Sequence, residues 1–406
     1  ISVMDDPSEK VQELAKDRLQ AAPYQNAQLL IESLNIPRRK VREGIFELLE
    51  SLDIKDVDVF RFARSQVERC YNYLAESEGL GSLPESEERD LLIAHLENKR
   101  VMELENVLRV LAMEDRSGQM RVIWRGIFSA NVRQRANSLE ALDDLMDVSL
   151  SRIMLPLLEE AAPSETLRVG RKNFQLPDFD SDRSAIYSHF LATEDWVTVV
   201  LTLYLLANHG LDGLNMGVVQ KHAGSENPYI RQMTDRVLDI QRADSAKTEE
   251  DMETEMSIPD KILRLKEIEI FEGLAVSELA AVASVTEEAV YPPGEIVIKE
   301  GEAGDTMYLV IKGEVSVIKA RGGEEGGHEI ELARISGGDY FGEMALFEDT
   351  VRSATIRTAE ESRLLVLHKQ EFTEIVREYP QIALHICKAL SRRMRKLHEM
   401  VKGNDE

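Results

Sequence analysis

Cysteine is nearly absent. The two present, Cys70 and Cys387, lie far apart without metal-ligand spacing, so neither a disulfide framework nor a zinc site is indicated. Such usage fits a reducing compartment, and a cytoplasmic location is expected. Aromatic residues make up only 6% of the chain, which leaves core building mainly to aliphatic side chains. Long hydrophobic runs are also missing. The most apolar stretch, Trp196 to Ala207, is too short for a bilayer and is interrupted by Thr198 and Thr202, so it reads as a buried helix. Positive charge is scarce: 49 Lys and Arg stand against 74 Asp and Glu, for a net charge of −25. That balance disfavours nucleic acid and anionic membrane surfaces as partners of the whole protein. No secretory leader is visible, and a chain that starts at Ile1 rather than Met is expected to be a piece of something longer.

What is there is a globular balance, 43% hydrophobic and 30% charged, spread over 406 residues, enough for two or three domains. From Asp6 to Ala243 the pattern is helical, apolar faces alternating with short polar turns and almost no period-two segments. Turn-rich breaks fall at Gly79–Ser86 and at Asn173–Asp180. The aromatics of the second break, Phe174 and Phe179, suggest a loop pinned to the helical surface. Its acids Asp178, Asp180 and Asp182 read as a solvated connection rather than a metal site.

One phrase recurs: Val11-Gln12-Glu13-Leu14-Ala15, Val41-Arg42-Glu43-Gly44-Ile45, Val132-Arg133-Gln134-Arg135-Ala136 and Ile230-Arg231-Gln232-Met233. It resembles the second helix of a HEAT-type repeat. The interval from Val41 to Val132 is 91 residues and from Val132 to Ile230 it is 98, each about twice a repeat of roughly 40–47. An ordinary antiparallel bundle accounts for the same pattern.

Residues 1–243 are thus expected to form a helical-repeat region, 244–257 an acidic linker carrying Glu249, Glu250, Asp251, Glu253 and Glu255, and 258–406 a second domain. In the last, Pro259 to Lys266 is helical, strands run from Val290 to Leu367, and the glycine-rich stretch Arg321 to His328 is a hairpin tip. Phe372 to Val401 reads as one amphipathic helix, basic around Arg392, Arg393, Arg395 and Lys396.

The strongest functional signal is Phe341-Gly342-Glu343-Met344-Ala345-Leu346 followed by Arg352-Ser353-Ala354-Thr355. Gly342 lets backbone approach a ligand, Glu343 can accept hydrogen bonds from sugar hydroxyls, and Arg352 can grip a phosphate through its planar fork. The turn Met344 to Leu346 can aim backbone N–H groups at the same anion. These residues resemble the phosphate-binding cassette of the cyclic-nucleotide-binding domain family, whose members include protein kinase A regulatory subunits and bacterial catabolite activators. Upstream, Tyr291-Pro292-Pro293-Gly294-Glu295, Gly301-Glu302-Ala303-Gly304-Asp305, Gly313-Glu314 and Gly337-Gly338-Asp339-Tyr340 fit the family's order of strands and turns.

The resemblance implies a β-barrel of jelly-roll type with flanking helices. It implies that Glu343 holds the ribose 2′-hydroxyl, that Arg352 holds the cyclic phosphate, and that Gly342, Met344, Ala345 and Ser353 line the pocket. The ligand implied is cAMP, with cGMP not excluded because the Ser353 hydroxyl can touch a guanine amino group. No metal is implied. In the family an apolar side chain of the C-terminal helices covers the base, and here the candidates lie between Leu390 and Leu397.

The scattered His95, His189, His209 and His222, with no nucleophile beside a base, give no sign of an enzyme. The chain reads as a receptor regulating a protein partner, or another part of its own longer chain, through the helical region. Phrases such as Ile153-Met154-Leu155-Pro156-Leu157-Leu158 are weakly similar to regulatory regions of bacterial nucleotide translocase-like transporters. A scaffold whose cyclic-nucleotide domain binds nothing, or an enzyme with catalysis in the helical region, are the alternatives.

Overall fold

The computed structural model describes residues 23–35, 39–51, 58–159, 161–179, 183–210, 215–243, 256–321 and 328–403. The chain divides into two compact units, Ile1–Leu205 with Gly210–Val218, and Leu206–His209 with Val219–Glu406.

The first unit is helical. Its elements are α1 (Pro23–Glu32), α2 (Arg39–Ser51), α3 (Val59–Gly81), α4 (Glu87–Glu114), α5 (Gln119–Ile127), α6 (Val132–Leu145), α7 (Val148–Leu158), α8 (Pro163–Asn173), α9 (Arg183–Leu191), α10 (Trp196–His209) and α11 (Met216–Gln220). Local chemistry sets several of the starts. The side chains of Asp58, Ser86, Asn131 and Asp147 accept hydrogen bonds from the first-turn amides of α3, α4, α6 and α7, and α4 opens on Glu87, Glu88 and Asp90, where the helix dipole favours acid. The turn-rich break joins α3 to α4, and these two long helices pack together as a hairpin.

Helices α7, α8 and α9 fold back on α3. Their shared core includes Leu30, Ile45, Phe46, Val67, Tyr71, Val107, Leu142 and Met154, each almost completely buried. Each such side chain contributes about 1.5–3 kcal/mol on leaving water. The Tyr71 hydroxyl donates to the Ile153 carbonyl at 2.9 Å, which ties α3 to α7. The aromatic loop is pinned as its composition suggests: Phe174 lies 5.6 Å from the Tyr71 ring and beneath the Arg64 guanidinium, and Phe179 meets the edge of His189 at 5.3 Å. Asp180 and Asp182 fall outside the described residues.

The recurring phrase does not play one structural role. Val41 and Ile45 are buried on α2, and Ile230 and Met233 are buried on α12 (Pro228–Ala243), which groups with the second unit. Val132, in contrast, is 70% exposed at the start of α6. Val11 lies outside the described residues. Stacked repeats touch only their neighbours in sequence. The return of α7, α8 and α9 to α3 is a different arrangement, so a helical region is what the coordinates support and repeats are not shown.

In the second unit, α13 (Ile258–Glu267) starts at a capping box in which Ser257 and Asp260 satisfy each other's backbone. It packs on α14 (Val276–Ser284), and Tyr229 of α12 donates to the Ser284 carbonyl at 2.9 Å. Of the stretch expected as an acidic linker, 244–255 lie outside the described residues.

Among the described residues eight antiparallel strands follow: β1 (Glu287–Tyr291), β2 (Ile296–Ile298), β3 (Thr306–Lys312), β4 (Glu314–Arg321), β5 (His328–Ser336), β6 (Tyr340–Phe341), β7 (Thr355–Thr358) and β8 (Ser362–His368). They form two four-stranded sheets, ordered β1-β8-β3-β6 and β2-β7-β4-β5. Alternating side chains fill the space with Ile298, Val310, Val315, Phe341, Ile356 and Leu364. The tip expected between β4 and β5 lies outside the described residues over 322–327.

The C-terminal segment expected as one helix is two. Helix α16 (Lys369–Glu378) and α17 (Pro380–Gly403) are separated by Tyr379, at φ −124° and ψ 74°. Pro380 forces this break, because its ring drives the preceding residue out of helical geometry and it has no N–H to continue the ladder. Helix α17 buries Ile382, Ile386 and Ala389, and rests on residues 269–271. No helix among the described residues is long and apolar enough to cross a membrane.

Candidate functional site

Strand β6 ends at Gly342, whose φ of +76° is one that L side chains rarely adopt, and the chain then enters the single turn α15 (Met344–Phe347). A Cβ on Gly342 would also stand 2.9 Å from Arg352 Nη1 and 3.0 Å from the Thr306 carbonyl. The glycine is therefore required twice, by its own backbone and by its neighbours.

Arg352 is fixed before its side chain is considered. Its N–H donates to the Glu302 carbonyl at 2.8 Å and its carbonyl accepts from the Gly301 N–H at 2.9 Å, so the turn between β2 and β3 holds it. The guanidinium then reaches inward, donating through Nη2 to Thr306 Oγ1 at 2.8 Å and through Nη1 to the Gly342 carbonyl at 3.4 Å. Gly304 lies flat beneath it: a Cβ there would be 2.0 Å from Nε. Burial pushes the Arg352 pKa down, against the opposing influence of Tyr308 and Asp305. No carboxylate among the described residues forms an ion pair with it. A half-buried cation held only by neutral acceptors is a favourable place for an anion, since removing a charge from water is costly unless it is paired.

Arg352 opens on a concavity of about 440 Å³. All six residues predicted from sequence line it: Gly342, Glu343, Met344, Ala345, Arg352 and Ser353. Glu343 is half-buried, and its carboxylate forms no hydrogen bond or ion pair among the described residues, which leaves it able to accept from a hydroxyl. Ala345 is buried, Met344 is half exposed, and Ser353 is exposed with its carbonyl accepting from Lys319 Nζ at 2.7 Å. The apolar wall comes from Ile298, Val317, Ala333 and Ile335, against which a flat base can lie.

Two expectations change. The amides of Ala345 and Leu346 are not free for an anion, because they donate to the carbonyls of Gly342 and Glu343 at 3.2 and 3.1 Å. A turn this tight uses its own carbonyls. Of the candidates with described side chains, Leu390 and Met394 do not line the concavity; α17 rests instead on residues 269–271, with Arg392 paired to Glu272 at 2.8 Å. Sequence reasoning also missed Thr306 and the role of Gly304 beneath the guanidinium. The phrase Gly304-Asp305-Thr306 was visible, but nothing local linked it to an arginine 46 residues later.

The profile of the Cyclic nucleotide-binding domain family matches residues 288–379. Over 126 residues the chain is 32% identical to the cyclic AMP receptor protein of Thermus thermophilus, covering 31% of this chain and 57% of that one. It is 39% identical over 112 residues to the cAMP-dependent protein kinase regulatory subunit of Yarrowia lipolytica, covering 28% of each. A crystal structure of Thermus thermophilus catabolite activator protein aligns with 34% of this chain and 62% of its own, at 30% identity and a TM-score of 0.30. The chain thus spans little more than half of one such relative and about a quarter of another. Within those bounds, residues 288–379 are a cyclic nucleotide-binding domain of the kind found in cyclic AMP receptor proteins and protein kinase regulatory subunits.

Proposed function

We propose that the protein is a cyclic-nucleotide receptor, with cAMP preferred over cGMP, that passes the binding event to a partner through its helical region. The observation that carries this reading is Arg352, a guanidinium without a carboxylate partner among the described residues, lining one cavity with an unengaged Glu343. The cyclic phosphate would take the place of the missing anion and the ribose 2′-hydroxyl would donate to Glu343, so the ligand spans a cation and an acid that have no charged partner among the described residues. The relatives named for cAMP support the choice of nucleotide, and one similar protein, from Caenorhabditis briggsae, is named for cGMP.

Such a ligand regulates only if it binds one arrangement of the protein better than another. In this reading the helical region is an output surface and not a catalytic one, and the regulated element is a protein partner or a further part of a longer cytoplasmic chain, such as a membrane transporter. Nucleic acid is an unsuitable partner for a chain of net charge −25.

Calorimetric titration with cAMP and cGMP side by side tests the proposal. Saturable binding of cAMP with one site per chain, weakened in Arg352→Ala, is expected. Heats indistinguishable from dilution for both nucleotides would leave a domain with the fold but not the function.

A further inference from the structure

The first unit carries a charge anomaly. Between residues 116 and 139 the sequence holds five arginines, Arg116, Arg121, Arg125, Arg133 and Arg135, and no lysine, aspartate or glutamate, so this stretch is +5 in a chain of −25. Helices α5 and α6 set Arg121, Arg125 and Arg133 on the surface, where none of the three forms an ion pair with any described residue. Elsewhere in the same unit arginines find acids readily, as Arg109 does with Glu43 at 2.8 Å and Arg69 with Glu103 at 3.0 Å. In so acidic a protein, a stretch with no carboxylate of its own leaves Arg121, Arg125 and Arg133 available to something else.

The same two helices line a concavity of about 420 Å³, floored by Ile123 and Ala141 and edged by Val122, which is 71% exposed. Arg133 and Asn137 lie on its rim. Asn137 is exposed and its side chain has no partner among the described residues, so it offers both a donor and an acceptor to a passing peptide backbone. An apolar hollow of side-chain size, an amide beside it and unpaired cations around it form a complementary set.

We propose that the α5–α6 face is a docking surface for an acidic protein segment, one that inserts an apolar side chain against Val122 and Ile123 and places carboxylates against Arg121, Arg125 and Arg133. A concave, amide-edged hollow suits a side chain better than the flat face of a bilayer. The remaining residues, carrying −30, repel the uniform charge of a lipid surface or a nucleic acid but tolerate a short segment. This surface is separate from the nucleotide cavity and does not depend on what that cavity binds.

The test probes the labelled full chain against an array of randomised peptides of about 12 residues. Selection of sequences with Asp or Glu flanking an apolar residue is expected. Signal should fall about tenfold in the Arg121→Gln, Arg125→Gln, Arg133→Gln triple variant and on raising salt from about 50 to about 500 mM. Val122→Asp, at an exposed position on the hollow's edge, should cause a similar loss, and far-UV circular dichroism with the urea unfolding midpoint of every variant confirms that the helical unit is folded. The idea is overturned if no acidic sequences are selected or if the triple variant selects them as well as the parent. Tighter binding of a polyuridine oligonucleotide, or of vesicles of phosphatidylserine and phosphatidylcholine at about 3:7, would likewise assign the arginines to another partner.

Discussion

Two sites, one in each unit, treat charge drawn away from water in opposite ways. In the helical unit the cationic and acidic groups close on one another: Asp195 caps α10 while accepting from His95 Nε2 at 2.7 Å, Lys99 Nζ at 2.8 Å and Thr198 Oγ1 at 2.6 Å. In the β domain Arg352 is sunk beside Gly304 and hydrogen-bonds only to neutral oxygens among the described residues. A closed cluster holds helices in register and does no more. An open one keeps an unspent affinity, and the protein folds around it because Thr306 and Gly342 meet part of the desolvation cost.

The comparison is broken most severely at Asp195. Burial opposes its ionisation, but the contacts with His95 and Lys99 outweigh this and hold its carboxyl well below the usual range. Asp195→Ala strips His95 and Lys99 of their partner and should cost about 3–5 kcal/mol in urea unfolding followed by the fluorescence of neighbouring Trp196, with cAMP affinity unchanged. The sign with pH follows: a depressed folded pKa gives stability that is present above the unfolded value near 4 and lost as pH falls toward the folded one. Wild type should therefore lose stability on acidification below about pH 4, and Asp195→Ala should show less of that loss.

Arg352→Ala should do the reverse. Affinity for cAMP falls by about 2–5 kcal/mol in calorimetry, while the unfolding midpoint changes little because no charged partner is stranded. A large fall in stability with intact binding would invert the contrast. Gly304→Ala sharpens it. Its methyl collides with Nε and must displace the guanidinium, so binding should weaken by about 1–3 kcal/mol although no ligand contact is removed. The smallest effect is Ser353→Ala, which removes one exposed hydroxyl and should shift the cGMP-to-cAMP affinity ratio by about 1 kcal/mol or less.

How much the sequence disclosed follows from how local each feature is. The cassette was legible because Gly342, Glu343, Met344 and Ala345 are contiguous and Gly342 needs a backbone that only glycine adopts freely. The support of Arg352 by Thr306 and Gly304 was not, since it arises where strands distant in sequence meet. Helix positions in the first unit could be read from their caps and apolar spacing. Their packing could not, for Val132 and Val41 sit in similar words yet one faces water and the other the core. At Tyr379 the signal was present in Pro380, but the apolar spacing on either side continued through it and concealed the stop.

That stop has a mechanical consequence. Helix α17 is 24 residues long, a rod of about 36 Å attached to α16 through a single non-helical residue. Leverage on such a rod is large: a swing of about 10° at Tyr379 carries its far end through about 6 Å, roughly the length of one helical turn. A change of one or two torsions at the joint is thus magnified to a displacement that another protein can feel.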